Sequence, residues 1–320
     1  METPAPLTVC IVPRERYSLA VRSLDSVLAA TPAAVPIVYL DGASPPAITS
    51  ALRERCEARG ALYLPAGQHL SPSEARSRAL AAVTTPFLIF IDNDVFPQAG
   101  WTEVLLACAE ETGAWAVSPL VLEGSAALPL VHMAGGDLTE SERNGSPTIQ
   151  QRHRLMRRLP MSIRSSLRRE PCGFFEYHGV LLRRDCFERG CALDTGLSAV
   201  HEHIDLALQI RRAGGEVYFE PEAVIRYDNA TRFSDDDRAF FELRWSEPWT
   251  RDSIEHFRAK WHFADDDPGL AALARWAARH RELFRQSHRP WLRRALPLIA
   301  RREGRFLLQR LLGHRTKRQP

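Results

Sequence analysis

Lysine is nearly absent from this 320-residue chain: Lys260 and Lys317 are the only two, and every other basic side chain is an arginine. Chemistry that steadies a phosphate with a lysine beside its nucleophile is therefore poorly served, because both lysines fall far downstream. No apolar run approaches the ~18–20 residues that span a bilayer, and no charged-then-apolar leader opens the chain, so any membrane contact is expected to be peripheral. The six cysteines, Cys10, Cys56, Cys108, Cys172, Cys186 and Cys191, include no CxxC pair. Several sit inside apolar stretches as small hydrophobes, and a reducing cytosol is the simplest home. Internal repeats and low-complexity tracts are also missing. With 45% apolar and 25% charged residues, the composition excludes disordered, collagen-like and membrane-spanning classes and allows a sizeable core.

Charge is unevenly placed. Residues 281–320 carry twelve Arg or Lys against two acids, so a whole-chain net of +3 leaves the first 280 residues near −7. That tail interleaves arginine with Leu, Phe and Trp, which suits the anionic inner face of a membrane. A basic helix packed on the acidic remainder of its own chain explains the pattern equally well. Nucleic acid is not an expected partner, since no recognised module is present.

What the chain does contain is alternation. Short apolar runs at Leu7–Val12, Pro36–Leu40, Ala61–Leu64 and Phe87–Ile91 read as strands, with helical patterns near Tyr17–Ala30, Ile48–Arg59 and Pro72–Val83 between them. This rhythm predicts βαβ units and a parallel sheet. Ser71, Pro72 and Glu74 form a capping-box start for the third helix. Residues 121–170 mix Gly, Ser and Arg and read as loops and basic helical pieces on the face of the site. "GVLLRRDCF" then resumes a strand, and "HEHIDLALQIRRAGGEVYFEP" reads as a helix stopped by Gly214-Gly215 before a further strand.

Ligands of open parallel sheets collect at the carboxyl ends of the strands. Three runs end there in polar residues: "VPRER", "LDGAS" and "IDNDV". Asp92 and Asp94, two residues apart at the end of a buried strand, are expected to point to one side, and holding two carboxylates together calls for a cation such as Mg²⁺ or Mn²⁺. Asp41 reads either as a turn residue or as an acceptor for a base or ribose hydrogen bond. Arg76, in the first turns of its helix, would add a cation beside an end that already favours diphosphate. Around His201, the H-E-x-x-H zinc spacing is missing; Glu202 at a helix start, with Asp205 one turn on, suits acid/base work better, or simple helix electrostatics.

Taken in order, "TVCIVPRERYSLAVRSLDSVL", "IVYLDGAS", "SEARSRALAAVTTPFLIFIDNDVFPQAGW" and "HEHIDLALQIRRAGGEVYFEP" resemble the bacterial-type family-2 glycosyltransferases of the GT-A fold over roughly residues 7–230. The resemblance implies a Rossmann-like α/β domain with a mixed, mostly parallel sheet flanked by helices over residues 1–230. A helical C-terminal extension (231–280) and a basic amphipathic tail (281–320) would follow. It implies transfer of a sugar from a nucleotide-diphosphate donor, a UDP-sugar being favoured, to a glycan, glycolipid or other hydroxyl acceptor, with inversion and with a divalent metal. Asp41 would hold the base beside Pro13, Arg76 the nucleotide or its phosphates, and Asp92, Asn93 and Asp94 the metal–diphosphate site.

Two departures stand out. The family's Glu-Asp-x-Asp-Leu appears here as Glu202-His203-Ile204-Asp205-Leu206, so either Glu202 or His203 is the base. Where many relatives carry a metal-binding histidine after the next strand, this chain offers Arg226, Tyr227 and Asp228. These gaps keep a second reading open, a non-catalytic GT-A-like protein that binds a nucleotide sugar or glycan. A nucleotidyltransferase would want a glycine-rich loop after the first strand, and "VPRERYS" has no glycine. Residues 130–178, with Trp245 and Trp249, are candidates for the acceptor face.

Overall fold

A computed structural model describes residues 5–287. The four apolar runs at the start of the chain form β1 (Leu7–Val12), β2 (Ile37–Asp41), β3 (Leu62–Pro65) and β4 (Phe87–Asp92), joined by α1 (Tyr17–Ala30), α2 (Pro46–Arg59) and α3 (Pro72–Leu80). β1, β2 and β4 are buried at every position, as continuous apolar runs in a parallel sheet should be. After them come β5 (Val95–Pro97), α4 (Trp101–Thr112), β6 (Ala116–Glu123), β7 (Leu130–Met133), β8 (Gly136–Arg143) and β9 (Ser146–His153). The next elements are α5 (Pro160–Ile163), β10 (Glu170–Cys172), β11 (Gly179–Arg183), α6 (Asp185–Glu188), α7 (Glu202–Arg212) and β12 (Val217–Tyr227). Three helices close the described part: α8 (Asp235–Arg244), α9 (Glu247–Trp261) and α10 (Pro268–Ser287).

The main sheet runs β10-β12-β6-β11-β4-β1-β2-β3, with β5 against β12 and β7 against β6. Along that path only β11 and β10 oppose the rest, so the sheet is mixed and mostly parallel. The chain leaves β1 toward β2 and β3, then returns to β1's other side as β4, in a register that sets Val12 beside Asp92. That reversal makes a crevice at the carboxyl ends of β1 and β4. α3 starts with the expected capping box: Ser71 accepts from the Glu74 amide, and the Glu74 carboxylate accepts from the Ser71 amide at 2.9 Å.

About half of the segment read as loops and basic helical pieces is instead β-structure, while α5 and the short helical turn Arg164–Ser166 are helical pieces of the expected kind. β6 runs through Glu123, β7 pairs with it, and β8 and β9 make a separate two-stranded ribbon. β8 is polar and exposed over most of its length, so neither the alternation nor the apolar run that marks a strand is present. The extension helices pack on the sheet domain. Asp237 of α8 accepts from the Ser18 amide and hydroxyl on α1, both at 2.8 Å, and Asp267 ahead of α10 accepts from the Ile149 amide of β9 at 2.7 Å. The basic tail expected from residue 281 begins inside α10, which runs through Ser287, so the expected boundary at 280 cuts a helix; the rest of the tail lies outside the described residues, and no described helix is long and apolar enough to cross a membrane.

Candidate functional site

Asp92 ends β4 and Asp94 follows the turn; both side chains are fully buried. Their surroundings differ sharply. Asp92 accepts from the Arg14 guanidinium at 2.7 Å on one oxygen and from Arg76 at 3.0 Å on the other. Burial pushes its carboxyl up, but Arg14, His178 and Arg76 outweigh that and hold it well below the ordinary range. Among the described residues, neither oxygen of Asp94 has a donor. Burial, with the nearby charges of Asp92 and Glu15, pushes Asp94 up to about 7 despite Arg14. A buried carboxylate with no donor is costly unless something charged arrives to meet it.

Asn93 holds the crevice together: its amide donates to Val12 O at 3.0 Å, and its side-chain oxygen accepts from the Arg14 amide at 2.9 Å. Pro13 packs against Gly42, where a Cβ would come within 2.8 Å of the proline ring, so this approach requires glycine. Asp41 thus sits next to Pro13, at the end of β2. Its oxygens accept from the Ser44 amide at 2.9 Å, the Thr49 hydroxyl at 3.1 Å and the Tyr63 hydroxyl.

Arg76 is 2% exposed. Besides Asp92 it reaches Glu202 at 3.7 Å, and its guanidinium lies 3.7 Å from the centre of the Tyr177 ring. The α3 cation is therefore joined to both the β4 carboxylate and the start of α7. Glu202 is also 3.6 Å from Arg244, which leaves its second oxygen without a partner. His203 next to it has an unpartnered Nε2, and burial, against the pull of Glu176 and Glu202, pushes the imidazole down. Both residues line a cavity of about 490 Å³ that runs from Arg14 and Glu176 to Trp245 and Trp276. Asp205 is placed differently. Its oxygens accept from Trp261 at 2.7 Å, Lys260 at 2.8 Å and Gln209 at 2.7 Å, which fastens α7 to α9 and keeps Asp205 off the cavity lining. Trp249 is also off that lining and packs instead in an apolar cluster with Trp245 and Phe241.

Several participants have no role assigned from the sequence, although Arg14 and Glu15 lie in the polar strand end "VPRER". Arg14 and Glu15 follow β1, and Glu15 is gripped by Arg244 at 3.1 Å and the Trp245 indole at 2.8 Å. His178, just ahead of β11, stacks on Tyr227 with ring centres 4.4 Å apart. It therefore lies beside the 226–228 segment, where many relatives carry a metal-binding histidine and this chain has Arg226, Tyr227 and Asp228. Ligand atoms of Asp92, Asp94 and His178 lie within 4.8 Å of one another, and so do those of His132, Glu176 and His178. The signal that could have found them is pairing: β11 beside β4 puts the segment before Gly179 opposite Ile91 and Asp92.

Comparison with known proteins agrees with this architecture. The family model for glycosyl transferase family 2 matches residues 8–190. Curated relatives include the pre-mycofactocin glycosyltransferases of two Mycobacterium tuberculosis strains, CDC 1551 and H37Rv, each 28% identical over 170 residues. Those matches cover 51% of this chain and 31% of each relative, so the matched part spans about a third of their length. Among solved structures, GalNAc-T7 with UDP, GalNAc and Mn²⁺ superposes with a TM-score of 0.56 at 16% identity, over 88% of this chain and 55% of that one. The mannosyltransferase PcManGT of Pyrobaculum calidifontis, in complex with GDP-Man and Mn²⁺, gives 0.50 at 16% identity, over 87% and 75%. At such identities the likeness is one of fold.

Proposed function

The chain belongs to glycosyl transferase family 2, and from that premise we propose that it moves a sugar from a nucleotide-diphosphate donor, a UDP-sugar in preference, to an acceptor hydroxyl with inversion. The observation that carries the reading is Asp94: a fully buried carboxylate with two unpartnered oxygens, beside Asp92, at the reversal point of the sheet. That donor set fits a divalent cation of the Mg²⁺ or Mn²⁺ type, held by Asp92 and Asp94. When bound, such an ion neutralises charge on a departing diphosphate.

The chain's own residues do the rest. Arg76, fixed by Asp92 and Tyr177 at the start of α3, supplies a second cation near a helix end that favours anions. Pro13 and Asp41, after β1 and at the end of β2, would take the base of the nucleotide, although neither lines the cavity. Glu202 takes the acceptor proton through its unpartnered oxygen, with His203 as the neighbouring alternative. General-base assistance of this kind is typically worth ~10²–10⁴-fold. Asp205 acts through position, fastening α7 to Lys260 and Trp261 so that Glu202 meets the cavity. The acceptor, a glycan, glycolipid or other hydroxyl compound, would enter the cavity between Glu202 and Trp276.

The test is turnover: release of nucleoside diphosphate from UDP-sugars in the presence of Mn²⁺, compared between wild type and Glu202→Gln. Donor binding without release in either protein would instead favour a non-catalytic binding protein, the second reading. That reading draws on Glu202 lying between two guanidinium groups.

A further inference from the structure

Beside the Asp92 crevice, three imidazoles converge on one carboxylate. Glu176 Oε1 lies 3.0 Å from His153 Nε2 and 4.0 Å from His132 Nε2, and Glu176 Oε2 lies 3.8 Å from His178 Nε2. The ring centres of His132 and His153 are 5.1 Å apart, and those of His132 and His178 are 5.2 Å apart. A tetrahedral ion with bonds of about 2.0–2.1 Å sets its ligand atoms roughly 3.4 Å from one another. The carboxylate–imidazole separations bracket that figure, and the ligand atoms of His132, Glu176 and His178 all lie within 4.8 Å of one another, with His153 meeting Glu176 alone.

The groups behind the ligands point the same way. His132 Nδ1 is 3.2 Å from Glu123 Oε2, an outer carboxylate that fixes the ring with Nε2 turned toward Glu176. His178 Nδ1 is 3.5 Å from Asp92 Oδ2, and the tautomer with its proton on Nδ1 donates there and leaves the Nε2 lone pair toward Glu176; the Arg14 guanidinium, 3.4 Å from the same nitrogen, donates to Asp92 at 2.7 Å instead. Carboxylate–histidine–metal relays of this form orient ligands in metal sites. His132 and Glu176 contribute from the cavity wall, so an ion there would keep an open face.

We propose that His132, His178 and Glu176 form a transition-metal site, for Zn²⁺ or a similar borderline ion, beside the Asp92/Asp94 site, with His153 positioning Glu176. Imidazole nitrogen selects such ions over Mg²⁺, whereas Asp92 and Asp94 offer only oxygen. An ion there ties β7 and the segment ahead of β11 together at the cavity wall, with β9 joined through His153. The proposal stands whether or not the donor reading does, because it concerns a metal alone.

The test uses the full chain, freed of metal by a chelator and titrated with Zn²⁺ or Co²⁺ without nucleotide. At least one equivalent should bind, and one should remain in Asp94→Asn; Co²⁺ should show the visible bands of a site with nitrogen ligands, and the melting temperature should rise. His132→Ala and His153→Gln should each weaken binding of that equivalent by at least tenfold, while Asp94→Asn leaves it unchanged; circular dichroism checks that each variant folds. Wild type that binds no Zn²⁺ or Co²⁺ would overturn the proposal. So would binding that survives His132→Ala and is lost in Asp94→Asn, which would move the ion to the other site. Failure of the donor reading would show separately, as absent nucleotide binding with Mn²⁺.

Discussion

Replacing Arg76 by methionine removes a charge at nearly constant volume from the point where α3, β4 and α7 meet. At 3.0 Å from Asp92 and an effective dielectric of about 20, the direct attraction is on the order of 5 kcal/mol, with a somewhat smaller term to Glu202 at 3.7 Å. Desolvation of a guanidinium that is 2% exposed offsets much of this. Breaking a buried pair by removing one partner ordinarily costs about 3–5 kcal/mol. Here each acid keeps another arginine, Arg14 at 2.7 Å from Asp92 and Arg244 at 3.6 Å from Glu202, so the expected loss is about 2–3 kcal/mol. For a chain of this size that lowers the melting temperature by roughly 3–5 °C. Scanning calorimetry measures it, with Arg76→Lys as the control that keeps the charge but loses the planar fork and part of the stacking on Tyr177. A shift under about 2 °C for the methionine variant, or a lysine variant no better than methionine, would refute the electrostatic account of this junction.

Other predictions concern chemistry and packing. Asp94 has its carboxyl raised from 3.8 to about 7, so the protonated form stabilises the fold below the ordinary carboxylate range and that contribution is lost as pH rises through neutrality. A divalent ion must displace this proton; Mn²⁺ affinity should fall ~tenfold per pH unit below about 7 and level off above it, whereas a pH-independent affinity would remove Asp94 from the metal set. Glu202→Gln should lower kcat by ~10²–10⁴-fold with nucleotide affinity unchanged, and a larger loss in His203→Gln would exchange the two roles. At Gly269 an added Cβ would collide with the Ile149 carbonyl oxygen, backbone that cannot step aside. Gly269→Ala should therefore cost about 1–3 kcal/mol in denaturant titrations and part α10 from β9.

The first ninety residues were legible because physics writes them plainly. β1, β2 and β4 are buried on both faces and appear as unbroken apolar runs, and the α3 start follows from Ser71, Pro72 and Glu74 alone. Asp92 and Asp94 were visible as carboxylates where such a run ends. β8 and β9 were hidden because their exposure shows no period, and β7 because its alternation spans only four residues; their partners are supplied by pairing across the ribbon and against β6. The same cause hid the histidines: His132, His153 and His178 sit on three separate segments, with no spacing to mark them, and only the sheet brings them to Glu176. Asp205 shows the limit from the other side. Sequence places it one turn from Glu202, but whether its oxygens meet solvent or Lys260 depends on a helix fifty residues downstream.

The most direct test of the donor site is the heat of binding of UDP, GDP and dTDP, each with and without Mn²⁺, to wild type and to Asp94→Ala. Binding of one nucleotide, only with metal and only to wild type, is the predicted result. Binding that is indifferent to both the metal and Asp94, or no binding at all, would contradict the assignment of Asp92 and Asp94 as the site that holds the donor diphosphate.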